Sequence, residues 1–208
     1  MLLSVSSFTS CLSDPGCVVF QLLGGLSMAM VLFLIASGLS LIFGVLGVVN
    51  FAHGSMYMMG AFTSYWLVSR FADTPGHFWI ALVLAPLIVA LIGGALEVAL
   101  LRRIYRRPHF HQFLLTFGLI LIIADVMRMS FGGEFKSVSR PELLSGSVSV
   151  MGRPFPEYNI FLIVVALAVA VAMWLLLQRT RLGRTIRAAA SDREMTGALG
   201  VNVPLLFT

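Results

Sequence analysis

Asn50-Phe51-Ala52-His53-Gly54 sets an amide, an imidazole and a glycine inside one of the most apolar stretches of the chain. Groups of this kind can hydrogen-bond to backbone or to a polar solute, and facing lipid unpaired they would each cost several kcal/mol. Asn50 and His53 must therefore face the protein interior, a water-filled cavity or the membrane interface. Asn50 suits a helix cap, because its side-chain oxygen can accept an N–H from the first turn of a helix that starts near Phe51. Asn50 and His53 together also suit a broken helix that lines a solute path, and the two roles are compatible. Covalent chemistry finds no support: no nucleophile and base stand at a recognisable spacing, and HExxH, GxSxG and a Gly-rich phosphate loop are all missing. His109 and His111 lie two apart, on different sides of a helix, with no cysteine or carboxylate beside them to complete a metal site. The expectation is a chain with no catalytic residues, no metal and no bound cofactor.

The elements that carry these residues follow from composition. Of 208 residues 59% are hydrophobic and 11% charged, and the mean hydropathy is +0.96. An ordinary globular domain carries about twice that charged fraction, so the chain reads as a membrane protein. Val18 to Phe71 holds no charge before Arg70. As one helix it would be about 80 Å long, against a hydrocarbon core of about 30 Å. It must break, and the region of Asn50 is the natural place. The expected helices run from Val18 to Leu46, Phe51 to Ser69, Phe78 to Leu101, Gln112 to Phe131 and Tyr158 to Gln178. Pro86 and Gly93-Gly94 should bend or loosen the third. Ala36, Ser40 and Gly44 recur every four residues on the first, a face that lets another helix approach closely.

Charge sets the orientation. Arg102, Arg103, Arg106 and Arg107 cluster after the third run, and Arg179, Arg181, Arg184, Arg187 and Arg193 follow the fifth; such clusters stay cytoplasmic. The segment between runs four and five balances Lys136, Arg140 and Arg153 against Glu134, Glu142 and Glu157 and is expected outside. Alternation then puts Asn50 to Gly54 toward the inside. The first 17 residues, with Asp14 and no Lys or Arg, fall outside. Cys11 and Cys17 lie there, where a disulfide and free thiols are both admissible. No positive n-region marks a cleaved signal peptide. Asp125 and Arg128 should pair at i and i+3. Glu97 should meet Arg102 or Arg103 at the interface. No basic stripe interleaved with aromatics accompanies the formal charge of +5, which speaks against a nucleic-acid partner.

The run Arg179 to Gly200, RTRLGRTIRAAASDREMTGALG, is helix-prone and partly amphipathic, with Ile186, Ala189 and Ala190 on one side and Arg184, Arg187 and Ser191 on the other. Ser191 and Glu194 match a capping box, Gly200 can end the helix that follows, and Pro204 can open a further span. On physics alone the segment either docks on a partner or lies on anionic lipid.

GLSLIFGVLGVVNFAHGSMYMMGAF, RRPHFHQFLLTFGLILI and RTRLGRTIRAAASDREMTGALGVNV, in this order, resemble the LivH-type permease subunits of branched-chain amino acid ABC importers, from about Gly24 onward. The resemblance implies an all-α polytopic transmembrane bundle in the bacterial inner membrane. It implies a LivM-type second permease, two ATPase subunits that hydrolyse ATP and a periplasmic binding protein as partners. It also implies that Gly183 to Gly200 docks on the ATPases, which assigns Gly183, Arg184, Arg187, Ala189, Asp192, Glu194 and Gly200 to coupling. The expected organisation is an external segment 1–17, five transmembrane helices within 18–178 with a break near 47–54, a cytoplasmic coupling segment 179–203, and at 204–208 the start of an incomplete sixth span. Members of that family continue for further helices, so the chain is expected to be a fragment or to have its remainder supplied elsewhere. A facilitative channel or ion-coupled carrier is the alternative function, and an intramembrane scaffold the third.

Overall fold

A computed structural model describes residues 11–46, 50–104 and 107–201. Expectations for residues 1–10, 47–49, 105, 106 and 202–208, including Arg106 and the sixth span, lie outside them. The described helices are α1 (Pro15–Leu46), α2 (His53–Arg70), α3 (His77–Leu96), α4 (His109–Phe131), α5 (Glu157–Arg179), α6 (Arg181–Ser191) and α7 (Arg193–Ala198), with a two-stranded antiparallel sheet of β1 (Ser147–Val150) and β2 (Arg153–Pro156). Among the described residues four stretches are long and apolar enough to cross a membrane: Pro15–Gly44, His77–Ile104, Phe110–Phe131 and Glu157–Arg179. The all-helical, multi-pass membrane architecture thus stands. α2 has 18 residues but spends several on His53, Ser55, Ser64, Ser69 and Arg70, so a crossing by α2 is a separate proposal.

The chain divides into two compact units, Met1–Ala36 with Arg140–Trp174 and Ser37–Ser139 with Leu175–Thr208. In the first, Pro15 opens α1 with its fixed φ and missing N–H. Asp14 precedes it and accepts the N–H of Gly16 at 2.9 Å. The same carboxylate accepts from Arg153 at 2.8 Å. Arg153 first, and the Gly16 N–H second, hold the Asp14 carboxyl below its usual range. Its stabilising contribution is therefore complete above the ordinary carboxylate pKa and is lost as pH falls through the depressed one. Cys11 and Cys17 are joined in a disulfide. The hairpin was not foreseen, although Ser-Val-Ser-Val alternates and Met151-Gly152 supplies its two-residue turn. Both turn residues have positive φ, 50° and 82°, as the twist of a tight hairpin requires. Phe155 is buried against Phe20, ring centroids 5.7 Å apart.

In the second unit α2 and α3 form a helical hairpin. Ala81 and Ala85, one turn apart, are buried with Leu67, so the closest approach is at these alanines. The Ala36, Ser40 and Gly44 stripe is instead exposed. Ala52 and Met59 pack with Leu101, Leu119 and Ile123, and Met56, Met58 and Leu115 surround that cluster. Phe51, just ahead of α2, meets Phe113 near the start of α4, and Phe62 in the middle of α2 meets Phe131 at the end of α4, so α2 and α4 run parallel. α3 continues through Pro86 and both glycines. It loosens only afterward, in a π-helical turn Glu97–Leu101 that leads into the short α-helical stretch Arg102–Ile104. Glu97 is buried there while Arg102 and Arg103 are exposed, contrary to the expected interface pairing. Asp125 and Arg128 do pair, at 3.8 Å.

The return from α3 to α4 is held by Gln112, which is buried and donates from its amide nitrogen to the carbonyls of Arg107 at 3.1 Å and Ile104 at 3.4 Å. The Ile104 carbonyl also accepts the Arg107 N–H at 2.9 Å, so among the described residues the Gln112 amide is chiefly the donor for the Arg107 carbonyl. Gln112→Leu removes it and is expected to destabilise the protein by about 1–3 kcal/mol. A thermal-unfolding midpoint in detergent equal to that of the parent would contradict this account.

Candidate functional site

The candidate residues fall into two constellations on different elements of the second unit. At the start of α2, Asn50 accepts the N–H of Ala52 on its side-chain oxygen at 3.0 Å, and its carbonyl accepts the N–H of His53 at 3.1 Å. The cap position of α2 is Ala52, which makes no side-chain bond, so Asn50 is not the cap expected from the sequence; its oxygen serves the N–H one position ahead of the helix. His53 is the first residue of α2, and its half-buried ring lies against α1. A Cβ on Gly38 would stand 3.0 Å from Cε1 and 3.2 Å from Nε2 of His53. Gly38 is therefore the residue that makes room for the imidazole. The four-residue stripe on α1 passed over Gly38, because spacing marks a smooth face without showing which ring enters it. Ala52 and Ser55 are buried on either side of His53.

The second constellation follows α5. Thr180 donates to the carbonyl of Leu176 at 2.5 Å and accepts the N–H of Gly183 at 3.0 Å, so one hydroxyl closes α5 and opens α6. Gly183 is buried, and a Cβ there would collide with the backbone of Leu176 and Leu177. Arg187, one turn later on the same face, donates to the Leu177 carbonyl. It is a clamp and not a residue of the free polar face, because the chain reverses at Thr180 and presents the last carbonyls of α5 to it. Arg184 is exposed.

Ala189 is completely buried, as is Thr196 for the most part, so the inner side of the α6–α7 pair runs through Gly183, Ile186 and Ala189, and Ala190 faces out. The start of α7 also moves by one residue. Ser191 ends α6, and Asp192 is the cap, accepting the Met195 N–H at 2.9 Å. The carbonyl of Asp192 accepts from the Thr196 hydroxyl at 2.7 Å. The Glu194 side chain lies outside the described residues. Gly200 has φ +86°, a left-handed conformation that ends α7 without a Cβ penalty. Leu182, Met195 and Leu199 are 62%, 60% and 75% exposed. Sequence reasoning passed over these three; the available signal was apolar side chains among arginines and acids.

The family model of the branched-chain amino acid transport system permease component matches residues 21–206. The chain belongs to this permease family. It is 29% identical over 192 residues to the high-affinity branched-chain amino acid transport system permease protein BraD of Pseudomonas aeruginosa. It is 25% identical over 196 residues to LivH of Salmonella typhimurium and 24% over 193 residues to LivH of Escherichia coli, both of which carry the same descriptive name. Each match covers 88% of this permease chain and 62% of the relative, so the chain spans less than two thirds of their length. No solved structure matches it.

Three substitutions probe the constellations. Gly38→Val should force the His53 ring out of its position and cost about 1–3 kcal/mol, and His53→Ala should restore the loss when combined with it. Additive effects in the double-mutant cycle would show that the two residues are independent. Gly183→Ala has only backbone to displace. It should open the α5–α6 turn, seen as faster tryptic cleavage at Arg184 and Arg187, and an unchanged cleavage rate would refute the close approach.

Proposed function

We propose that this chain forms part of the translocation path of an ATP-driven importer of branched-chain amino acids in the bacterial inner membrane, and that its α6–α7 segment couples it to ATPase subunits. The observation that carries the coupling role is the construction of that segment. Its small residues Gly183 and Ala189 are spent on an interior of its own and on the end of α5, where Arg187 also bonds, while Leu182, Met195 and Leu199 point outward from helices too short to need them for their own folding. An exposed apolar set on a small rigid element suits a protein groove better than bulk water.

ATP in this reading is bound and hydrolysed by two partner subunits, and the chain itself carries no cofactor and no catalytic function. A LivM-type second permease would complete the path, and a periplasmic binding protein would deliver the substrate. The names of the relatives support the importer reading over a facilitative channel or an ion-coupled carrier. Five crossings, with α2 among them, fit the parallel run of α2 and α4 and the arginines that end α3 and α5. Asn50 and His53 are the proposed path residues, held at the start of α2 beside the cluster of Ala52, Met59 and Leu101.

Ala189 is a poor site for testing docking, since Ala189→Glu buries a charge inside the segment and unfolds it locally. The test belongs on the outer residues. Met195→Asp with Leu199→Asp should abolish copurification of the ATPase subunits from detergent while membrane abundance stays normal. Retained copurification together with retained transport-stimulated ATP hydrolysis in the double variant would sink the coupling role.

A further inference from the structure

The strongest unassigned feature is the ring Cys11-Leu12-Ser13-Asp14-Pro15-Gly16-Cys17, closed by the disulfide at the start of α1. Inside it the Asp14 N–H donates to the Cys11 carbonyl at 3.1 Å, and the Asp14 carbonyl accepts from Val18 at 3.1 Å. The Asp14 side chain accepts from Gly16 at 2.9 Å and from Arg153 at 2.8 Å. The ring touches the hairpin a second time at Gly16, where a Cβ would lie 3.2 Å from the Met151 carbonyl oxygen. Both contacts fall on the β1–β2 turn and the residue after it.

An ion pair as exposed as this one, with side chains 45% and 48% accessible, contributes little when its members must be ordered for the purpose. Asp14 is not free to wander. Covalent closure together with three backbone bonds fixes its carboxylate before Arg153 arrives, so the entropy of ordering is already spent. The Arg153 guanidinium and the Gly16 N–H both favour the ionised carboxylate, in agreement with this placement.

We infer that the Cys11–Cys17 disulfide is a redox-controlled clamp on the β1–β2 hairpin, acting through Asp14, and that it opens to a dithiol reductant. The clamp rests on these contacts alone. In the opening step a dithiol donates two electrons and two protons. One thiolate attacks a ring sulfur, the S–S bond breaks, and a mixed disulfide forms. The second thiol of the pair resolves it, leaving two cysteine thiols on this chain and a disulfide on the reductant. Asp14 then loses its fixed geometry, and the hairpin loses Arg153 and Met151 as anchors.

Hydrogen exchange by mass spectrometry on the full chain in detergent tests this, with the folded protein measured before and after treatment with dithiothreitol. Reduction should speed exchange of the amides in 147–156 about fivefold, the ratio that corresponds to about 1 kcal/mol. Asp14→Asn should give the same acceleration in the oxidised protein, and no further change on reduction. Thiol alkylation by a maleimide without reductant would show that the disulfide is not formed. Unchanged hairpin exchange on reduction would show that it holds nothing, and additive effects of reduction and Asp14→Asn would show that it does not act through Asp14. Any of these overturns the clamp. Because reduction acts on protein already folded, failure of a Cys11→Ser variant to insert does not enter the test.

Discussion

A helix that ends in or near hydrocarbon leaves several backbone N–H and C=O groups without partners, and no water is at hand to take them. The irregular parts of this chain are arranged around that requirement. Asn50 meets it just ahead of α2, Gln112 meets it for the Arg107 carbonyl behind α3, and the Thr180 hydroxyl serves α5 and α6 at once. Asp192 does the same for α7, and Asp14 for α1. None of these bonds need contribute more than about 1 kcal/mol net. Leaving any one of them unmade in a dry setting costs more, so each cap fixes where a helix stops and where the next can begin.

Caps place backbone ends close to one another, and closeness then dictates small side chains. Gly183 sits where the reversing chain comes back on Leu176 and Leu177, and only a hydrogen fits between. Gly16 answers to the hairpin turn in the same way, and Gly38 to the ring of His53. These glycines are not there for unusual dihedrals. Gly76, Gly152 and Gly200 are, with φ between 82° and 86°. The two uses have different consequences, since an alanine at the first kind meets atoms and at the second kind meets only backbone strain.

The membrane class, the apolar helices and their approximate limits were legible because they rest on composition and run length, which are properties of the chain alone. Each observed helix begins and ends within a few residues of its expected position. What could not be read was which neighbour a given face would meet. Ala36, Ser40 and Gly44 have the spacing of a packing face yet are exposed, while Ala81 and Ala85 have the same spacing and are buried. Arg187 looked like one more solvated arginine, because nothing in its vicinity announces that the chain turns back at Thr180. Asp192 and Ser191 are both good caps, and choosing between them needed the path of α6. Glu97 went astray for a related reason: a π-helical turn adds a residue to the repeat and rotates everything beyond it away from the positions that a 3.6-residue period assigns.

Rigid attachment at the end of α5 bears on what the α6–α7 segment can do in the proposed role. A segment joined by a flexible linker would absorb a push from a partner in the linker, and nothing would reach the span. Here the Thr180 hydroxyl, the buried Gly183 and the Arg187 guanidinium all bear on the backbone of Leu176 and Leu177, in the last turn of α5. Three attachments at one turn leave the joint few soft directions, because bending it requires breaking hydrogen bonds and moving backbone through backbone. Displacement of α7 at Met195 and Leu199 is then carried through Ala189 and the Asp192 cap into the carbonyls of α5. The arginines serve this joint little as charges. Arg184 can face water or lipid headgroups freely, while Arg187 has to be arginine for its reach, since its guanidinium spans the gap to a carbonyl that no shorter side chain at that position would touch.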